Sequence, residues 1–241
     1  MATTARLVGA RARASFDVIC AGEPIWKTLT LRGERLAPCE PSAPLLEVAR
    51  ALARNELRVG LATVFDDDRF GRALLDEMAA MGMDVDGVTL ALPASDLVVV
   101  DATGGQLGVV SDRDTARDFE VPAGWSSRVL LLSGLSPVTS KAAALCKAAR
   151  RARREGTVVV LDVTGSLRQW AGADPRILSM VVREADVVRC SLLDLAVLGT
   201  DAASVRRAMR RGATLALSEG AVDEGGQRTA ALCAELARPR R

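Results

Sequence analysis

Polar residues that could bind a ligand stand where three predicted strands end. Asp162 follows the apolar run 158–161, and two short polar stretches, Ser133-Gly134 and 218–220, follow similar runs. In an open parallel sheet, ligands bind beyond the carboxyl ends of the strands, so all three stretches are candidates for a binding site. Each can equally cap the next helix or form a turn, and for Asp162 the two interpretations are about equally favoured.

A fourth candidate comes just before the last predicted helix and reads Gly220-Ala221-Val222-Asp223. The free N–H groups at a helix N-terminus attract anions, and a carboxylate held beside them can act as a general base. Asp223 is therefore the candidate catalytic base in this sequence.

Three successive carboxylates, Asp66, Asp67 and Asp68, separate a predicted strand from a predicted helix. An aspartate there can cap the N–H groups of the new helix, and negative charge suits the helix dipole. A metal site would need further carboxylates from elsewhere in the chain. Helix capping is therefore the favoured interpretation.

Apolar periodicity supplies the elements that must position these residues. Residues 45–52 have helical spacing, residues 59–65 form a buried strand run, and residues 70–81 return to helical spacing. Further strands are predicted at 129–133, 157–162, 187–189 and 213–217, and further helices at 139–154, 175–184, 192–198, 202–211 and 227–237. Strands that alternate with helices predict an α/β domain whose parallel sheet is covered on both faces.

The composition excludes two kinds of chemistry. The 241 residues include no histidine, and the five cysteines are widely spaced without a C-x-x-C pair. A zinc site of ordinary composition and a mechanism that needs an imidazole base are therefore excluded. An odd number of scattered cysteines is typical of buried, reduced thiols in a cytosolic protein.

The overall charge does not indicate nucleic acid or an acidic protein as a partner, because the formal net charge is only +2. Two arginine groups, at 150–154 and 206–211, end helical patterns, where cations suit the negative end of the dipole. Solvated helix ends are the favoured interpretation, and we expect no nucleic-acid partner because tyrosine is absent and aromatic residues are few. A regulator that binds an anionic partner is a third hypothesis, and it requires both groups to share one face.

No apolar run reaches membrane-spanning length, and no signal-peptide core precedes Phe16. We therefore expect a cytoplasmic protein with no membrane partner. Residues 1–15 are rich in Arg, Ala and Thr and are expected to form a disordered N-terminal extension.

Several segments resemble the PfkB (ribokinase-like) carbohydrate kinases. An "ALAR" helix, a "VGL" strand, a "DDxFG" turn and a "MGxDVDGV" helix exit follow one another at the family's spacing within 45–88. Further similar segments are FDVICAGE at 16–23, LLLSG at 130–134, 158–162 with Trp170 (family "DxNxRxxxW"), and ADVV at 185–188 with Leu195 and Gly199 (family "ADil…NxxE…LG"). The resemblance runs from Phe16 to about Leu217, which is most of the chain.

This resemblance implies a ribokinase-like three-layer fold, with a mostly parallel central sheet, helices on both faces and a minimal β lid. The ribokinase-like domain would span 16–241, with lid pieces at about 24–44 and 89–118. Within the lid, a short edge strand is expected at 29–32, and a hairpin is expected from 96–101 and 106–111. Family members usually run longer, so length is expected to be missing at the C-terminal end.

The resemblance also implies roles for particular residues. Asp223 would be the base in a Gly-Ala-Gly-Asp motif, whose backbone, here Gly220, Ala221 and Val222, would hold the developing phosphate charge. The family's "NxxE" pair, which helps to place Mg²⁺ and the phosphates of ATP, becomes Ser191 and Asp194, with Asp194 as the metal contact. Substrate contacts would fall on the following positions: Lys27, Glu47 and Asp162.

The chemical positions depart from the family more than the scaffold positions do. Val222 replaces a glycine that permits close approach, and another alignment makes 218–220 the family's earlier "TLGxxG" turn, so that the tetrapeptide matches by chance. Lys27 stands where the family has an aspartate, Glu47 where it has an asparagine, and Ser191 where it has an amide. Swapping these polar groups changes what the pocket can bind.

Our first hypothesis is therefore a PfkB-family carbohydrate kinase homologue with lost or impaired phosphoryl transfer, a pseudokinase that acts in ligand binding or protein association. A homodimer is expected to cover any apolar face that missing elements leave. The alternative is an active ATP- and Mg²⁺-dependent kinase that phosphorylates a sugar or nucleoside hydroxyl with Asp223 as base.

Overall fold

The structure is a computed structural model. It describes residues 14–22, 26–32, 35–36, 40–42, 44–91, 97–101, 106–110, 119–133, 139–163, 175–218 and 226–239. The predicted N-terminal extension, 1–15, lies almost wholly outside these ranges.

The strands, in chain order, are β1 (Ala14–Gly22), β2 (Trp26–Arg32), β3 (Arg35–Leu36), β4 (Glu40–Ser42), β5 (Val59–Asp66), β6 (Asp84–Ala91), β7 (Leu97–Asp101), β8 (Gln106–Val110), β9 (Trp125–Ser133), β10 (Val158–Val163), β11 (Val187–Ser191) and β12 (Thr214–Ser218). The helices are α1 (Pro44–Arg54), α2 (Arg69–Ala80), α3 (Thr139–Arg154), α4 (Pro175–Val182), α5 (Leu192–Val197), α6 (Ala202–Ala208) and α7 (Gln227–Ala237). Among the helices that the structure describes, none is both long enough and apolar enough to cross a bilayer.

Seven strands form the main sheet, in the order β12-β11-β10-β9-β1-β5-β6. Every neighbouring pair is parallel, which confirms the predicted parallel sheet. Parallel strands need crossover connections, and the helices between them supply these. All carboxyl ends of the strands therefore meet at one edge of the sheet, which we call the C-terminal edge.

Two apolar cores, one on each face of the sheet, hold the layers together. One core joins the sheet to α1, α2 and α7, and the other joins it to α3, α4, α5 and α6. Strand β5, which lies between β1 and the outer strand β6, is buried at all eight positions, as a strand with helices on both faces requires. The predicted three-layer ribokinase-like arrangement is confirmed.

A smaller sheet has the strand order β3-β2-β7-β8, with β4 also paired to β2. The antiparallel pair β7 and β8 confirms the predicted hairpin. The strand predicted at 29–32 is present as part of β2, but β2 starts at Trp26 and lies inside the sheet, so its predicted length and edge position were wrong. Its ladder partners come from segments distant in sequence, which a local pattern cannot reveal.

Strand β9 begins at Trp125, four residues before the predicted start. Trp125 is buried and packs its ring against Phe16, with 4.7 Å between the ring centroids. Its backbone is also in register with Ala14 of β1. The aromatic contact therefore extends the strand beyond the apolar run that marks it in the sequence.

The acidic turn after β5 starts α2, as capping predicts. Asp68 Oδ1 accepts a hydrogen bond from the Gly71 N–H at 2.8 Å, and Asp67 Oδ1 lies 2.7 Å from Arg72 Nη2. Gly71 lies against the end of β5 so closely that a Cβ there would be 1.9 Å from the Asp66 carbonyl oxygen. The turn therefore needs both the aspartate cap and a glycine three residues later.

We expect Gly71→Ala to lower the free energy of unfolding by about 3 kcal/mol, since the new methyl group forces the backbone apart. Gly82→Ala is the matched control, because Gly82 has a φ of +81° but open space around it. Its expected cost is about 1 kcal/mol, for the left-handed backbone alone. Urea denaturation of both variants measures the difference, and equal losses would contradict the close contact at Gly71.

The predicted buried thiols are confirmed for four of the five cysteines, and Cys39 lies outside the described residues. Cys20, Cys146, Cys190 and Cys233 are free and buried. Burial raises the pKa of all four thiols above 9.0, to about 12 for Cys20 and about 11 for Cys190. These thiols are therefore structural and chemically inert in the folded protein.

We expect the free energy of unfolding to fall as the pH rises from 9 towards 12. Unfolded thiols lose their protons near pH 9, whereas the folded thiols keep theirs to higher pH, so alkali favours the unfolded chain. Cys20→Ala should reduce the slope by about 1.4 kcal/mol per pH unit in this range. Denaturation at stepwise pH measures the slope, and tyrosine does not interfere because the chain has none. An unchanged slope would show that the Cys20 thiol is not protected by burial.

Candidate functional site

The strand ends that the sequence predicts as candidate binding positions meet at the C-terminal edge. In the backbone register, Ser133 of β9 lies between Gly22 of β1 and Asp162 of β10. Asp162 is also beside Arg189 of β11. A row of polar positions therefore crosses the centre of the sheet, on the face covered by α1, α2 and α7.

Asp162 and Arg189 form a buried ion pair. Asp162 Oδ1 lies 3.0 Å from Arg189 Nη1, and the two residues are 1% and 6% exposed. A carboxylate buried this deeply needs a countercharge, and its neighbour on the adjoining strand supplies one. Arg189 was absent from the predicted site residues, because its contact depends on strand register, which the sequence does not display.

Ser191 and Asp194 form a capping box at the start of α5. Asp194 Oδ2 accepts hydrogen bonds from the Ser191 N–H at 2.8 Å and from the Ser191 hydroxyl at 2.7 Å. The Ser191 hydroxyl in turn accepts one from the Asp194 N–H at 3.0 Å. These contacts satisfy donors that a helix start leaves free, so both residues have a structural role.

Mg²⁺ fits poorly at the predicted metal position. Asp194 is buried, and its Oδ2 atom is already used by Ser191. Within the part of the chain that the structure describes, no cluster of three or more Asp, Glu, His or Cys residues could hold a metal ion. The described residues at this edge therefore do not fit a bound Mg²⁺ ion.

The Ser133 hydroxyl has no hydrogen-bond partner within the described part of the chain. The residue is fully buried, and its Oγ makes no hydrogen bond to the described residues. Gly22 lies so close to it that a Cβ on Gly22 would be 1.8 Å from the Ser133 carbonyl oxygen. A buried hydroxyl without a partner costs stability, so Ser133 Oγ is a candidate contact for a ligand or a water molecule.

Helix α7 begins against α1 at this same edge of the sheet. Its N-cap residue, Gly226, has a φ of +67°, and a Cβ there would lie 2.7 Å from the Val48 nitrogen and 3.0 Å from the Glu47 carbonyl carbon. The helix starts of α1 and α7 are therefore in contact. The candidate residues 220–223 lie outside the described residues, between Ser218 at the end of β12 and Gly226.

The two remaining predicted substrate contacts are Glu47 and Lys27. The structure describes the side chain of Glu47 but only the backbone of Lys27. Glu47 is half-buried in the first turn of α1, 3.8 Å from Arg50, which also binds Glu77 at 2.9 Å. Lys27 contributes backbone to β2 of the smaller sheet, and its side chain lies outside what the structure describes. Glu47 is thus near the edge, with its carboxylate in a local ion-pair network.

Members of both arginine groups lie at the opposite edge of the sheet, where the strands begin. Arg150 and Arg153 bind the Glu184 carboxylate at 2.8 and 3.1 Å, and Arg210 forms an ion pair with Asp186. Arg151 donates to the backbone carbonyl groups of residues 121 and 122. Arg150, Arg151, Arg153 and Arg210 therefore bind groups within the chain, and the shared face that an anionic partner requires stays a prediction.

Known proteins of one family resemble this chain. A family profile described as pfkB family carbohydrate kinase matches residues 47–221. The 5-dehydro-2-deoxygluconokinases of two strains of Clostridium perfringens are each 27% identical over 155 residues, which cover 58% of this chain and 46% of the relative. The chain thus spans about half the length of the curated relatives it matches.

Solved structures share the fold at lower sequence identity. A fructokinase with bound ATP from Xylella fastidiosa has a TM-score of 0.68 and 21% identity, over 85% of this chain and 73% of its own. A PfkB protein from Polaromonas has a TM-score of 0.68 and 20% identity, over 92% and 89%. A Vibrio cholerae fructokinase in a fructose, ADP and calcium ion bound form has a TM-score of 0.64 and 18% identity, over 81% and 67%. Since the profile spans most of the sequence and the structure has the matching α/β fold, the chain belongs to the pfkB family of carbohydrate kinases.

Proposed function

We propose that this chain keeps the ligand-binding edge of a pfkB carbohydrate kinase but has lost efficient phosphoryl transfer. The capping box between Ser191 and Asp194 carries the proposal. In this capping box the Asp194 carboxylate, which would assist the metal in the family, is bound at the start of α5 instead. The chain then acts as a binding domain for a small hydroxylated compound.

Phosphoryl transfer depends on charges positioned to stabilise the transition state. It therefore matters whether each carboxylate is free or is already bound within the protein. Asp162 is neutralised by Arg189, and Asp194 is held by Ser191. Releasing either carboxylate would leave a buried group without its partner, which is costly. The described carboxylates at this edge therefore support a stable structure better than they support catalysis.

Binding has support of a different kind. The Ser133 hydroxyl is buried without a partner among the described residues, next to Asp162 in the register. The relatives are named for fructose and for a deoxygluconate derivative, both small and rich in hydroxyl groups. A ligand of that class offers the donor or acceptor that Ser133 lacks.

One observation favours an active kinase as a second candidate. Helix α7 starts against α1 at Gly226, three residues after Asp223, and both helix starts lie at the C-terminal edge. In this alternative Asp223 takes the proton from a sugar or nucleoside hydroxyl, residues 220–222 hold the phosphate charge, and Lys27 and Glu47 contact the substrate. ATP and Mg²⁺ would be required.

The first test compares phosphoryl transfer in the unmodified chain, Asp223→Asn and Asp201→Asn. Asp201 is the matched control, since it is an aspartate that caps α6 outside the proposed site. We expect ADP release from ATP, Mg²⁺ and fructose to stay at the level of buffer in all three proteins. A measurable rate that drops about 10²- to 10⁴-fold in Asp223→Asn alone would establish the active kinase instead.

The second test measures binding by isothermal titration with fructose as the probe. Ser133→Ala should weaken binding by up to about tenfold, the value of one hydrogen bond, while leaving the free energy of unfolding unchanged or higher. Ser126→Ala, at an exposed position on the same strand, should change neither quantity. No binding of fructose or of 2-deoxygluconate at millimolar concentration would refute the proposed ligand class.

A further inference from the structure

Three arginine-containing segments lead into three neighbouring strands of the main sheet. Residues 150–155 come before β10, residues 183–186 before β11, and residues 206–211 before β12. These strands are adjacent and parallel, so the segments that lead into them lie side by side where the strands begin. The helices that end in these segments, α3, α4 and α6, pack against the same face of the sheet. We call the three segments together the arginine edge.

Contacts between the segments join them into one surface. The Glu184 carboxylate accepts a hydrogen bond from Arg150 Nε at 2.8 Å and another from Arg153 Nη1 at 3.1 Å. Two residues further along the chain, Asp186 forms an ion pair with Arg210. The ends of α3 and α6 therefore meet at the turn that joins α4 to β11.

The arginine edge carries more positive charge than the chain as a whole. Its three segments contain nine arginines and three acidic residues, a surplus of six positive charges. Since the net charge of the chain is only +2, the other residues carry a surplus of four negative charges. The C-terminal end of each helix offsets only about half a unit charge. Charge that is concentrated in this way attracts anions.

Four arginines of this edge are exposed and make no ion pair or hydrogen bond to the described residues. They come from all three segments and are Arg154, Arg183, Arg206 and Arg211. Like charges gathered on one surface repel one another, which destabilises the compact state. A bound anionic partner would remove this repulsion.

We propose that the arginine edge binds an acidic segment of another protein through its carboxylate groups. The chain's own Glu184 shows the mode of binding, because each of its two carboxylate oxygens accepts a hydrogen bond from a different guanidinium group. Guanidinium groups match carboxylates in shape and in hydrogen-bond donors. Neighbouring strands lie about 4.8 Å apart, so the three strand starts span about 10 Å, as do three residues of an extended chain. A short run of acidic residues therefore fits the edge.

An acidic protein segment is favoured over a nucleic acid. Single-stranded nucleic acids stack on exposed aromatic side chains, and the aromatic side chains that the structure describes, Phe16, Phe65, Phe119 and Trp125, are buried. Phosphates are also bound at helix N-termini, whereas α3, α4 and α6 present their C-terminal ends here. Neither of these two features of phosphate recognition is present in the described part of the edge.

The arginine edge is separate from the candidate site. Strand β10 runs from one to the other, beginning at Val158 and placing Asp162 at the C-terminal edge. Its six residues separate the two edges by about 17 Å. A partner at the arginine edge therefore leaves the ligand-binding positions uncovered, and the proposal is independent of whether the chain transfers phosphate.

The main experiment measures binding of a fluorescently labelled octaglutamate peptide to the full chain by fluorescence anisotropy. We expect binding that weakens as NaCl is raised, because salt screens exposed charges. Arg154→Glu combined with Arg211→Glu should weaken binding about tenfold or more, since this variant reverses charges in two of the segments. An octapeptide of glutamine should not bind.

The matched control combines Arg54→Glu with Arg58→Glu. It makes the same change of net charge at exposed positions outside the arginine edge, at the end of α1 and just before β5. This variant should weaken binding less than about twofold, and circular dichroism shows whether each variant is folded. No binding of octaglutamate at millimolar concentration, or equal weakening in the two double variants, would overturn the proposal. Tighter binding of an oligonucleotide of eight thymidines would also overturn it, by assigning the edge to a nucleic acid.

Discussion

Parallel pairing of β1 with both β5 and β9 is the constraint on which the rest of the structure depends. A parallel sheet cannot be closed by tight hairpins, so each strand is followed by a crossover that covers a face of the sheet. The chain turns to one side of β1 with β5 and β6 and to the other with β9 to β12. Opposite directions of travel place the crossover helices on opposite faces, and this produces the two cores.

The same constraint explains where polar groups can be tolerated. The middle of the sheet is covered twice and takes apolar side chains, whereas the C-terminal edge meets loops and helix starts. Ser133, Asp162 and Ser191 are all at that edge. Two of these positions are satisfied by partners from the scaffold, Arg189 and Asp194. The same few residues can therefore stabilise the fold or take part in chemistry, and a contact that serves the fold does not require the chemistry to be retained.

Local pattern predicted the parts of the fold that local physics controls. The apolar run of β5, the helical spacing of α7 and the aspartate cap of α2 each depend on neighbours in sequence, and each was predicted from the sequence. The ion pair of Asp162 with Arg189 depends on the register of two strands, and the interior place of β2 depends on distant partners. The capping role of Asp194 had a local signal, a serine three residues earlier, which the kinase motif obscured.

The contact between α7 and α1 has a consequence for how the chain reaches its folded state. Ala230, Cys233 and Ala237 of α7 complete the core that begins with Val18 and Cys20 of β1 and with the first turns of α1. These partners are far apart in sequence, so the core is rich in contacts of high sequence separation, which slow folding. During synthesis, the face of β1 that α7 covers stays exposed until the last described helix leaves the ribosome. The domain therefore completes one of its two cores only after α7, which ends at Ala237, has been translated, and until then that face is a target for chaperones.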